Sequence, residues 1–162
     1  MRWKLSALLV LSLSLSLWAW TRYFTQSSTL LQEADSARIL TYVRSLNAPV
    51  VLINFWASWC EPCKAEFPHI LELKKKWSSN GLRVVFVSMD EPEDRVAAEA
   101  FLIQHEVPPP TFFRGRQPLD FVSTIFPKWS GAIPATVLID QGGHLIEAWE
   151  GDTSLGEFEA KV

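Results

Sequence analysis

An α/β fold with a mixed sheet is predicted from three observations in this 162-residue chain. Val50–Phe55 (VVLINF) and Leu82–Met89 (LRVVFVSM) are short, nearly continuous apolar runs, as in strands buried on both faces. Each is followed by apolar residues at three- and four-residue steps, the signature of a helix with one buried face. Near the C-terminus two further strand patterns are joined by a glycine-containing turn, which places antiparallel pairing beside the strand–helix alternation.

The elements follow in order. Leu31, Ala34, Ile39, Tyr42, Val43 and Leu46 predict a first helix, ended by Asn47-Ala48-Pro49. The first strand runs straight into Cys60, which opens a helix with Phe67, Ile70, Leu71, Leu73 and Trp77 as its apolar positions and Asn80-Gly81 as its stop. After the second strand, Pro92–His105 reads as a helix carrying Val96, Ala97, Ala100, Phe101 and Ile103. Val107–Pro110 breaks regular structure, Thr111–Phe113 is a short strand and Pro118–Phe126 a short helix. Ala135–Asp140 and Leu145–Trp149 are strands around the turn Gln141-Gly142-Gly143-His144. Ser154 caps a final helix bearing Leu155, Phe158 and Val162.

Charge separates the chain into two parts. Residues 1–24 hold Arg2, Lys4 and Arg22 and no acid; the whole chain carries a net charge of -3, so residues 25–162 are markedly acidic. Bulk nucleic-acid binding is excluded, because neutralising phosphates needs a basic surface. Leu5–Thr21 contains no charged residue and follows Arg2 and Lys4, an arrangement shared by signal peptides and membrane anchors. Trp18, Trp20 and Tyr23 at its far end suit a membrane–water interface, and no Ala-x-Ala cleavage pattern follows. The expectation is an uncleaved anchor in residues 1–24, crossing the membrane through residues 5–21. Residues 25–162 then form one domain on the exported, periplasmic side of the inner membrane. Arg22 on the outer side runs against that orientation; the alternative is a cleaved signal and a soluble periplasmic domain.

The chain has two cysteines, Cys60 and Cys63, and their Cys-x-x-Cys spacing points to redox chemistry or a metal. At a helix start, unpaired backbone N–H groups and the positive end of the macrodipole stabilise a thiolate, which makes Cys60 the nucleophile. Cys63 lies one turn along the same helix, close enough to close a small ring and release a mixed disulfide. Pro62 fits a helix start, and Glu61 places negative charge beside the thiols.

The segment Asn54-Phe55-Trp56-Ala57-Ser58-Trp59-Cys60-Glu61-Pro62-Cys63-Lys64 resembles the active-site segment of the thioredoxin superfamily. It is most similar to the membrane-anchored TlpA/ResA-like thiol–disulfide oxidoreductases of bacteria. Pro68 matches the proline inside the family's active-site helix, Glu66 an acidic residue three positions after the second cysteine, and Gly131–Thr136 the loop holding a cis-proline beside the cysteines. The resemblance covers residues 50–158. It implies a thioredoxin-like fold and no cofactor. Cys60 and Cys63 would be the redox pair, and Pro134 the substrate-docking element with a cis Ile133–Pro134 bond. Trp59, Glu61, Pro62 and Ile133 would meet the substrate. The substrates implied are exported proteins with cysteines or disulfides, such as apocytochrome c before haem attachment, and the electrons would come from a membrane thiol reductant. One departure matters: thioredoxin has a buried Asp where this chain has Asn54, so Glu66 is the expected proton carrier in its place, unless it is only a solvated surface carboxylate.

Other readings of the motif meet obstacles. Zinc needs two more ligands, and His69, His105 and His144 are scattered without a ligand spacing and expected at the surface. Haem attachment needs a histidine where Lys64 stands. A thiol peroxidase needs Thr or Ser where Ala57 stands. Copper delivery through both thiols is the binding-module alternative. Trp56 reads as core, Trp59 as the rim of the site, Trp129 as packing or the wall of a substrate groove, and Lys74-Lys75-Lys76 as a solvated helix face.

Overall fold

The computed structural model describes residues 30–162, so the expected anchor or signal in residues 1–24 lies outside the described part. Among the described residues no helix is long and apolar enough to cross a membrane. The elements are β1 (Leu31–Glu33), α1 (Ser36–Ser45), β2 (Val50–Trp56), α2 (Glu61–Trp77), β3 (Leu82–Ser88), α3 (Arg95–Gln104), β4 (Thr111–Phe113), β5 (Ala135–Asp140), β6 (Leu145–Glu150) and α4 (Leu155–Lys161). One sheet has the order β1-β4-β3-β2-β5-β6. The first four of these run parallel, while β5 is antiparallel to β2 and β6 to β5. This is the mixed sheet with flanking helices expected from the sequence.

β2 owes its central place to its composition. Val51 to Trp56 are all buried, and a strand covered on both faces has nowhere to put a charge. Helix α2 buries Phe67, Ile70 and Leu73. Phe67 is stacked on Phe86 of β3 with centroids 4.4 Å apart and meets Trp56 edge-on at 5.4 Å. These contacts fix α2, and with it the start of the helix, over the C-terminal end of β2.

Two expectations are corrected, the strand at Leu31 and the place of two histidines, and two helices are found with 3-10 turns. Leu31 is in a strand, not a helix: it pairs with Thr111, and Asp35 starts α1 by accepting from Arg38 N at 2.8 Å. Pro118–Phe126 contains a 3-10 helix at Leu119–Thr124, and the first turn of the Pro92–His105 segment is likewise 3-10, at Pro92–Asp94. His69 and His105 are half-buried rather than surface residues: His69 Nδ1 lies 3.2 Å from the Thr153 carbonyl, and the His105 ring packs on Phe101 at 4.4 Å.

Candidate active site

Strand β2 ends at Trp56, and the turn Ala57-Ser58-Trp59 delivers Cys60 to the N-cap of α2. Its extended backbone (φ -88°, ψ 102°) points the sulfur back at the first helical turn, where Cys63 N–H donates to Cys60 Sγ at 3.2 Å. Cys60 and Cys63 form a disulfide with Cα atoms 5.2 Å apart. On reduction, the Cys60 sulfur faces a backbone donor and the helix dipole, both of which favour a thiolate. Cys63 is 1% exposed and Cys60 4% exposed, so Cys60 is the less covered of the pair.

The rim is exposed. Trp59 is 60% exposed, and Glu61 and Pro62 also face solvent. Glu61 is paired with Lys64 at 2.8 Å on the helix surface, so the cation and the water around it screen its effect on the thiols.

The turn before Cys60 is held by Asp90, a fully buried carboxylate just beyond β3. Ser58 N–H donates to its two oxygens at 3.1 and 3.0 Å, Ser58 Oγ donates at 2.6 Å and Ser88 Oγ at 2.7 Å. Nothing in the sequence pattern singles out Asp90, which stands beside another acid, Glu91.

A second loop closes over the disulfide. The Ile133–Pro134 bond is cis, Pro134 is buried, and the Ile133 carbonyl lies 3.7 Å from Cys60 Sγ. With the sulfur in a disulfide this is a contact, since no S–H exists to donate. The loop is tied down beside it: Ser130 N and Oγ donate to Glu150 at 2.5 and 2.6 Å, Trp129 Nε1 donates to the Ala132 carbonyl at 2.8 Å, and Gly151 N donates to the Pro134 carbonyl at 2.9 Å.

Behind the cysteines sits Glu66, 1% exposed, which excludes the solvated-carboxylate reading. Asn54 Nδ2 donates to its Oε1 at 2.8 Å and Thr153 N–H to its Oε2 at 3.0 Å. Burial pushes the Glu66 carboxyl up to about 7, against the two hydrogen bonds that favour its charged form. The Asn54 amide also donates to Thr136 Oγ1 at 3.1 Å, while its Oδ1 is buried without a partner. Turning that amide over would present Oδ1 to a protonated Glu66. The site therefore offers a hydrogen-bond partner for either state of the carboxyl. Among the described residues no three His, Cys, Asp or Glu side chains gather as metal ligands.

The structure thus brings together Trp59, Cys60, Glu61, Pro62, Cys63, Glu66, Ile133 and Pro134, and adds Asp90, Ser58 and Thr153. Thr153 carries no sequence signal, because only its backbone N–H is used on Glu66. Residues 30–148 match the family described as AhpC/TSA. The thiol-disulfide oxidoreductase ResA of Bacillus subtilis (strain 168) is 30% identical over 122 residues, which is 75% of this chain and 63% of the relative. That of Bacillus cereus (strain ZK / E33L) is 29% identical over 118 residues, 72% of this chain and 64% of the relative. The chain thus spans rather less than two thirds of the length of these relatives. In fold it is similar to a crystal structure of a thiol:disulfide interchange protein of the thioredoxin family from Chlorobium tepidum TLS, with a TM-score of 0.60 at 23% identity, covering 73% of this chain and 80% of that one. With most of its described residues matched and this geometry around its two cysteines, the chain belongs to the AhpC/TSA family of the thioredoxin superfamily.

Proposed function

We propose that this protein is a thiol–disulfide oxidoreductase that reduces disulfides in exported proteins. The observation that carries the reading is the Cys60–Cys63 disulfide at the start of α2, with its outer sulfur at the Ile133 carbonyl and a buried carboxyl on the same helix. The names of its ResA relatives support it. In the reduced protein the Cys60 thiolate attacks one sulfur of a substrate disulfide, forming a mixed disulfide and expelling the other sulfur as a thiolate. Cys63 then loses its proton and attacks Cys60 Sγ; the substrate leaves as a dithiol and the protein holds the disulfide. Glu66 is the base for the Cys63 proton: it stands three residues on, where helical neighbours have Cβ atoms about 5–6 Å apart, and its raised pKa lets it accept and return a proton near neutrality. Pro134 shapes the docking loop, and an extended substrate segment pairs with the Ile133 backbone as an added strand, resting on Trp59, Glu61 and Pro62.

In this reading residues 1–24 anchor the domain on the periplasmic side, a membrane thiol partner restores the dithiol, and apocytochrome c thiols before haem attachment are among the targets. The test is a Cys63→Ser variant of the full chain, which cannot complete the second attack. It is expected to accumulate mixed disulfides through Cys60, recovered with the membrane fraction and dissolved by dithiothreitol. Iodoacetamide should alkylate Cys60 faster than Cys63 in the reduced wild type. Absence of reducible adducts would refute the catalytic assignment, and adducts on a shortened soluble chain would show cleavage of the N-terminal segment.

A further inference from the structure

Helix α2 reaches the connection between β6 and α4 at two points, and both fall on Thr153. Glu66 Oε2 accepts from the Thr153 N–H at 3.0 Å, and His69 Nδ1, three residues along the helix, lies 3.2 Å from the Thr153 carbonyl oxygen. Resting on the reading of Glu66 as the base for the Cys63 proton, we propose that His69 is the positioning residue for that base and acts through Thr153. The ring Nδ1–H donates to the Thr153 carbonyl and so keeps the Thr153 N–H on the buried carboxyl.

The place of Thr153 in the chain leaves it open to both grips. Ser154 is the N-cap of α4, and its carbonyl accepts the first bond of that helix, from Phe158 N–H at 3.0 Å. Strand β6 ends at Glu150, before a left-handed Gly151 (φ 95°). The N–H and C=O of Thr153 therefore belong to neither ladder. Thr153 is only 6% exposed, and a buried main-chain group left unpaired is costly, so side chains must supply the partners. Positions 66 and 69 share one face of α2, where Cβ atoms are about 5–6 Å apart.

The other ties on Thr153 come from the β6 side. Trp149 Nε1 donates to Thr153 Oγ1 at 2.8 Å, and Oγ1 donates to the Gly151 carbonyl at 3.3 Å. Neither holds the residue onto α2. Lys76 and Glu159 pair between α2 and α4, but further along both helices. Without His69, the bond to Glu66 is the one listed tie of α2 to Thr153 that remains.

A carbonyl oxygen only accepts, so the ring nitrogen facing it carries the proton. Neutral His69 is then the Nδ1–H tautomer with a bare Nε2. Around Glu66, exposed Asp152 in the same connection opposes ionisation, while Asn54 and, behind it, Thr136 are neutral. Cys63 on the same helix is held in the disulfide and does not titrate.

The test titrates the Glu66 carboxyl by its carbon-13 resonance in the disulfide form of the full chain. In His69→Phe, which keeps a ring but no donor, the midpoint should rise by about one pH unit, the effect of weakening one hydrogen bond to a charged group. His69→Asn, whose amide donates from nearly the place of Nδ1 and carries no charge, should restore most of that shift. An unchanged midpoint in His69→Phe would overturn the proposal. An Asn variant that titrates like the Phe variant would overturn it too, leaving only the charge of an imidazolium at work. At about pH 9, where imidazoles are neutral, nitrogen-15 shifts of the wild-type ring should show the proton on Nδ1; the opposite tautomer is equally fatal. Exchange by the reduced chain separates the two levels. One dithiol reduces one 2-hydroxyethyl disulfide to two thiols and is left as the Cys60–Cys63 disulfide. Its pH profile should move in His69→Phe by the same interval as the carboxyl midpoint. A profile that stays while the carboxyl moves would remove Glu66 as the base, and the proposal with it. A chain inert toward this disulfide refutes the oxidoreductase reading, while the carboxyl titration still decides whether His69 positions Glu66.

Discussion

Asp90→Ala should lower the free energy of unfolding by about 3 kcal/mol, with three polar groups losing their acceptor at once. The Ser58 N–H donates to both Asp90 oxygens, and the Ser58 and Ser88 hydroxyls end there too, with Ser88 and Asp90 fully buried and Ser58 half-buried. The loss is measurable as a shift in the urea midpoint at constant slope. It should not be confined to stability. The turn Ala57–Trp59 sets where Cys60 enters α2, so the variant should also show slower disulfide exchange at temperatures where it is fully folded. Asp90→Asn keeps one acceptor oxygen for Ser58 and should recover about half of the stability. A Asp90→Ala protein with wild-type midpoint and exchange rate would show that the turn holds itself.

The second large effect is a pH dependence. Glu66 has its folded-state pKa raised from 4.5 to about 7, chiefly by burial. Below pH 4.5 both folded and unfolded forms carry the proton, and the group is neutral to stability. Between 4.5 and 7 the unfolded chain gives up the proton that the folded chain retains, so stability falls as pH rises, and the loss is complete above about 7. Its full size is about 3 kcal/mol. Other carboxylates slope the opposite way, so the contribution is read as the difference between wild type and Glu66→Gln, whose amide does not titrate over this range. In the same comparison, the pH profile of exchange should lose its inflection near neutrality in Glu66→Gln. Parallel stability curves and identical exchange profiles would leave Glu66 without a titrating role.

The legible part of this protein in its sequence was the part written in local patterns. Val50–Phe55 and Leu82–Met89 are unbroken apolar runs and became the central strands; the Cys60 helix, the hairpin around Gly142-Gly143 and the Ser154 cap each carry a short-range signal. β1 was misread because a three-residue strand is too short to show a period of two, and its apolar residues happened to continue the spacing of α1. Within the site, the cysteines, Glu66 and the Ile133–Pro134 loop stood out by motif. Asp90 did not, since a carboxylate among other acids reveals its burial only when Ser58, thirty-two residues earlier, folds onto it. Thr153 was invisible because its contribution is a main-chain N–H, which every residue but proline possesses.

The hydrogen bond from Thr153 N–H to Glu66 Oε2 gives the chain a built-in spectroscopic gauge. Thr153 lies in the short connection between β6 and α4, and its amide proton points at the carboxyl from the side opposite Asn54. Each time Glu66 gains or loses its proton, the field at that amide changes. The backbone resonance of Thr153 in a nitrogen-15 spectrum should therefore move with an inflection near pH 7. In Glu66→Gln the part of that movement due to the carboxyl should be lost, leaving only what the His69 ring at the Thr153 carbonyl contributes. A residue outside the Cys-x-x-Cys helix thus reports the charge state of the buried acid in the resting, disulfide-bonded protein, with no need to label or reduce either cysteine. A Thr153 resonance that ignores pH while Glu66 titrates would mean that the bond is absent in solution.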